Sequence, residues 1–181
     1  GFSADATRLV TAGQDGRVRW WTITETDLTL AGEATPGAGP LFAAAFAPDG
    51  ESIVIGGEDR IVRMLRPEAP DEPFPLFEFE QPPGTTPEIE SVVFIDGGTL
   101  AASCGDRVVL LDATSGRVVC ELDRSEITRK TVLGSLTASA DGHRLMACGT
   151  DSRAHVWDVA TGKMLVSLPK HPAWVQGCCL D

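Results

Sequence analysis

The stretch Asp151-Ser-Arg-Ala-His-Val-Trp-Asp158 decides the fold. A run of small apolar residues, Leu145-Met-Ala-Cys-Gly149, precedes it, and Val159-Ala-Thr-Gly-Lys163 follows and opens a second apolar run, Met164–Leu168. Short apolar runs broken by Asp, Gly and Ser are the pattern of strands joined by tight turns. Asp and Gly tolerate the turn geometries that bulkier residues resist. No stretch of the chain sustains a helical period.

Working outward, the same unit recurs. Phe2-Ser-Ala-Asp-Ala-Thr-Arg-Leu9, Phe46-Ala-Pro-Asp-Gly-Glu-Ser-Ile53, Phe94-Ile-Asp-Gly-Gly-Thr-Leu100 and Ala138-Ser-Ala-Asp-Gly-His-Arg-Leu145 align, and their last residues lie 44, 47 and 45 positions apart. Each turn leads into a small-residue strand: Leu9–Gly13, Ile53–Gly57, Leu100–Cys104 and Leu145–Gly149. A second turn carries Asp15, Asp59, Asp106 or Asp151, then a third strand follows (Val18–Ile23, Ile61–Leu65, Val108–Leu111, Ala154–Trp157) and a more variable outer one. A fixed period of this length marks a repeat architecture.

The unit resembles the WD40 repeat, the four-stranded blade of a β-propeller, which has a period of roughly 40–45 residues. The match to the family pattern is uneven. Trp157-Asp158 keeps the Trp-Asp pair, whereas the other three blades read Trp21-Thr22, Leu65-Arg66 and Leu111-Asp112. The resemblance implies an all-β propeller of about four blades, at about 1–35, 40–82, 88–124 and 131–169, with a further first strand at 174–180. In that frame the first blade lacks most of its innermost strand. The segment Val175–Leu180 is expected beside Leu9–Gly13, or a missing or partner chain completes the blade. Three arrangements stay open: an excerpt of a longer propeller, a dimer exchanging terminal strands in an eight-bladed ring, and a chain that closes on itself.

The resemblance also implies a structural tetrad, in which His, Ser or Thr, Asp and Trp are linked by hydrogen bonds. Counting back from Trp21 places Asp15 and Thr11 in it, and the one matching His is His171, at the far end of the chain. His155 is expected to pack between blades, and His143 to be solvated in a turn.

Composition narrows the function. A formal net charge of −11, with no basic stripe, argues against direct nucleic-acid or anionic-membrane contact. No apolar run reaches the ~20 residues a membrane helix needs. The cysteines, Cys104, Cys120, Cys148, Cys178 and Cys179, lack zinc-site spacing and are expected as free thiols of a reducing compartment. There is no Gly-x-Ser-x-Gly elbow and no phosphate-binding glycine loop. Neither a cofactor, nor a metal, nor catalysis is expected.

Protein binding is the use that remains. In the family, partners most often sit on the face where the first strands enter, which puts Leu41, Glu88, Val132 and Trp174 in candidate positions. Trp is enriched among binding hot spots, so Trp174 leads them. The segment Pro67–Pro87, rich in proline and acidic residues, is a second candidate surface through Phe74 and Phe77. Its prolines suit an outer edge strand. The expected function is a non-catalytic interaction scaffold in a multiprotein, intracellular and cytoplasmic assembly. The alternatives are a regulatory or sensor propeller domain of a larger enzyme, such as a kinase or protease, and a fragment that self-assembles into a closed ring.

Overall fold

The computed structural model describes residues 1–37 and 39–180. These residues form fifteen strands in four antiparallel sheets and no helix. The first sheet holds β1 (Arg8–Ala12), β2 (Val18–Ile23) and β3 (Leu28–Ala34), in that order. The second runs β4 (Leu41–Phe46), β5 (Ile53–Gly57), β6 (Ile61–Arg66), β7 (Ala69–Glu78). The third runs β8 (Ile89–Phe94), β9 (Thr99–Cys104), β10 (Arg107–Asp112), β11 (Val118–Glu121), and the fourth β12 (Leu133–Ala138), β13 (Arg144–Gly149), β14 (Ala154–Asp158), β15 (Met164–Ser167). Each sheet is a meander, so its spatial order is its chain order. This is the four-bladed, all-β architecture that the repeat implies.

The repeated turn is held by its aspartate. Asp5, Asp49, Asp96 and Asp141 each accept backbone N–H bonds from residues two or three further on. Asp5 and Asp141 also accept the hydroxyls of Ser3 and Ser139 at 2.6 Å. Those hydroxyl bonds, chiefly, hold the Asp5 carboxyl down at about 2 and pull Asp141 down as well. A short side chain that accepts a backbone N–H two residues on closes each turn, a role that suits Asp.

Strand alternation then decides what packs where. Successive side chains of a strand point to opposite faces, and the second strands of the second, third and fourth blades, β5, β9 and β13, are buried on both, so they read as nearly continuous runs of small or apolar residues, whereas β1 of the first blade buries only Val10. Ile53 and Ile55 of β5 join Val10, Val18 and Trp20 between the first two blades, while Val54 turns to the third. Leu100 and Ala102 of β9 face the second blade, and Ala101 faces Leu145, Ala147 and Trp157 of the fourth. Gly56 belongs to this packing, because a Cβ there would run into Ile89 of the next blade.

The three main apolar clusters join consecutive blades; among the described residues none joins the fourth blade to the first. The C-terminal expectation is corrected here. Residues 174–180 form no strand and do not lie beside β1. Val175, Cys178 and Leu180 instead cover Met146, Cys148 and Ala154 on the outward face of the fourth blade. The seating is nevertheless that of an innermost strand. Val175 N–H donates to Gly149 O at 3.2 Å, just as Leu41 donates to Gly13 and Leu133 to Gly105 at 3.1 and 3.0 Å. Among the described residues no second strand pairs with it, and a strand needs a partner for its ladder. In the first blade, Gly1 and Phe2 occupy the innermost position, paired with Val10 and Leu9.

Candidate functional site

The expected tetrad is half assembled. Trp21 Nε1–H donates to Thr11 Oγ1 at 3.2 Å. Asp15, however, pairs with Arg19 at 2.8 Å, and His171 lies on the fourth blade, its N–H bonded to Ser152 O. His171 is therefore held away from Thr11, Asp15 and Trp21 by the same seating that keeps the C-terminal segment on the fourth blade.

A different pairing replaces it. The turn aspartate bonds the residue four positions later on the third strand: Asp15–Arg19, Asp59–Arg63 at 2.6 Å and Asp151–His155 at 2.8 Å. The last pair is the most enclosed, with His155 fully buried, Asp151 partly so, and the imidazole tilted against Trp157 at 5.9 Å between ring centres. Trp157 donates its indole N–H to Asp123 O at 2.6 Å, which ties the fourth blade to the third. The shared four-residue spacing from Asp was the signal for this pairing. In the third blade the turn is shortened to Gly105-Asp106, so Arg124 reaches back to pair with Asp106 at 3.0 Å.

On the face where the first strands enter, the candidates do not stand alike. Trp174 is 67% exposed, beside Ser152, Pro172 and Gln176. Glu88 and Val132 are half-buried. Leu41 is only 5% exposed and belongs to the core between the first two blades. Its bond to Gly13 makes it the equivalent of Leu133 and Val175, so Pro40 is the residue that corresponds to Val132. Near Glu88, burial and then the Glu88 charge raise the Glu90 carboxyl above its ordinary range.

The opposite end of the stack holds a groove of about 460 Å³ between the second and third blades. Met64, Leu76, Phe94 and Ala113 line it together with Phe74, and Asp49, Glu72 and Arg66 are its charged residues. Phe74 is 58% exposed. Phe77 is half-buried and meets Phe79 edge-on at 5.0 Å, so it supports the strand from beneath. The groove arises from an irregular β7. Arg66 pairs with Ala69 and Met64 with Phe74, so Pro70-Asp71-Glu72-Pro73 bulge out opposite the single residue Leu65. Below the bulge, the third blade's turn packs against β7 at Gly116, whose φ of +69° suits glycine and where a side chain would strike Leu76 O. Sequence reasoning found Phe74 but missed Met64, Phe94 and Ala113. The available signal was Arg66-Pro67-Glu68, which departs from the Asp-led turns of the third and fourth blades.

The thiols are of two kinds. Burial pushes Cys104 and Cys148 up to about 12, whereas Cys179 is exposed. Among the described residues, no group of three or more His, Cys, Asp or Glu side chains is placed to hold a metal ion.

Comparison with known proteins gives one family. The model described as "WD domain, G-beta repeat" matches residues 1–22 and 128–158. Protein HIR1 of Yarrowia lipolytica is 25% identical, over 99% of this chain and 16% of the relative. The U3 small nucleolar RNA-associated protein 18 homolog of Arabidopsis thaliana is 26% identical, over 91% of this chain and 29% of its own length. The human U3 small nucleolar RNA-associated protein 4 homolog is also 26% identical, over 91% and 24%. The chain thus spans less than a third of the length of these relatives. The cytoplasmic expectation is corrected by these matches, because the relatives whose names carry a location carry a nucleolar one. Those two names also record association with an RNA, so the charge-based argument against nucleic acid is not carried forward.

Proposed function

Because the chain belongs to the WD40-repeat β-propeller family, we propose that it serves as a non-catalytic scaffold that holds other proteins in a multisubunit assembly. One observation carries this reading: of the three exposed aromatic side chains among the described residues, Phe2, Phe74 and Trp174, the last two stand at opposite ends of the stack, each lining a surface depression. Exposed aromatics on rigid sheets are anchors of the kind that dominate binding energy. They also lose little conformational freedom when a partner covers them. Many of the turn aspartates and strand arginines, by contrast, are occupied in turns and in ion pairs. Two of the relatives are named as components associated with an RNA, which fits a scaffold working inside a larger assembly.

The test is the mass and composition of the native protein, isolated gently and treated with ribonuclease. A scaffold remains bound to other proteins after that treatment, and Phe74→Ala or Trp174→Ala weakens at least one such contact. Recovery of the protein alone, or dispersal of the assembly by ribonuclease, overturns the reading in favour of an isolated domain or an RNA tether.

A further inference from the structure

The groove between the second and third blades exists because one blade breaks the repeat. In the third and fourth blades, the turn into the outer strand is closed by Asp112 and Asp158, which accept bonds from Ser115 and Thr161. The second blade has Arg66-Pro67-Glu68 there instead, followed by the four-residue bulge. The bulge sets Glu72 and Phe74 over a floor of Met64, Leu76, Phe94 and Ala113.

Two features define what fits. The first is how the outer edge is guarded. Pro70, Pro73 and Pro75 remove N–H donors from β7, so a partner cannot simply extend the sheet as another strand. Recognition must pass through side chains in the groove. The second is charge. Glu68, Asp71, Glu72 and Glu78 on or beside β7 take part in no ion pair among the described residues. Their charge adds to an excess that is already −11 for the chain. Arg66 lines the same groove and disfavours a long run of cations.

We infer that this groove receives a short, extended, basic segment of a partner protein, with an apolar side chain against Phe74 and Met64 and a lysine or arginine beside Glu72. The inference rests on the scaffold reading and gives one of its contacts a chemistry. Because the cation sits at an exposed rim, binding weakens as salt is raised.

The test uses the full chain and an acetylated, amidated hexapeptide of alternating Lys and Leu, followed by backbone amide shifts. The expected result is perturbation at Glu72, Phe74, Phe94 and Thr114, with binding weakened about tenfold or more by Phe74→Ser and by Glu72→Gln. The Glu-Leu counterpart should not bind. Glu72→Gln is isosteric and on the surface, so it decides the matter if Phe74→Ser fails to fold. Shifts confined to the Trp174 end overturn the inference, as do unchanged affinity in Glu72→Gln, equal binding of the acidic peptide, or preferential binding of a single-stranded RNA at these residues. If the peptide fails while the ribonuclease-resistant assembly persists, the groove assignment falls and the scaffold reading stands. If the native assembly is absent, the scaffold reading falls, and the titration still decides the groove.

Discussion

The fourth and second blades use the same frame in opposite ways. In the fourth, Trp157 is fully buried and bonded to Asp123 O, and Asp151 is spent on the enclosed His155. In the second, the position of Trp157 is filled by Leu65, the position of Asp158 by Arg66, and the outer strand bulges out of register. The blade closest to the repeat is thus devoted to holding neighbouring blades together. The blade furthest from it leaves an aromatic side chain and a row of carboxylates in solvent. Between these two blades, departure from the repeat marks where the strands themselves leave side chains in solvent.

Substitutions in the two blades sharpen this contrast. Trp157→Ala should have the largest effect, about 3–5 kcal/mol in a urea unfolding curve, because it empties a buried site and orphans Asp123 O. A near-neutral result would mean that the third and fourth blades are not joined through Trp157. Gly116→Ala comes next, at about 2–3 kcal/mol, since it combines a strained left-handed backbone with overpacking against β7. Asp151→Ala should cost about 1–3 kcal/mol by leaving the buried His155 ring nitrogen without a partner. The matching Asp59→Ala should cost less, about 1 kcal/mol or below, because Arg63 is partly exposed and can turn to water. Equal costs for these two would erase the distinction between the blades.

Smaller effects test the cysteines and the abandoned tetrad. A thiol whose pKa is raised to about 12 stays protonated near neutral pH, and the thiol is a far weaker nucleophile than the thiolate. Mild alkylation of the folded protein should therefore label Cys179 and spare Cys104 and Cys148, as peptide mass mapping would show. His171→Ala and Asp15→Ala should act additively, because the two residues sit on different blades. Measurable coupling between them would restore the shared tetrad.

Much of the frame is legible in the sequence because it depends on local chemistry. The turn aspartates leave a signal beside Leu9, Ile53, Leu100 and Leu145 that recurs whatever the neighbours do, and the double-sided burial of β5, β9 and β13 strengthens it in the last three blades. The candidate surface is only partly legible. Phe74 and Trp174 stand out as aromatics among polar and proline-rich neighbours, and both are exposed. Leu41 lies one residue beyond the position that alignment predicts for a rim residue, because the connections into the first strands differ between blades, and β4, β8 and β12 each begin with a register shift. The closure by Val175–Leu180 failed for a different reason. Strand formation there depends on a distant partner, which periodicity cannot supply. The groove depends on how many residues of β7 oppose one residue of β6, and that is a property of pairing rather than of pattern.

The most direct test of the contrast is amide hydrogen exchange of this chain, free and in its native assembly. The protection gained on assembly should fall on residues 64–76 and 94–114, around the groove, while β13 and β14 of the fourth blade, already protected by packing, change little. Protection gained mainly over β13 and β14, with none at residues 64–76, would contradict the account and make the repeat-like blade the binding surface.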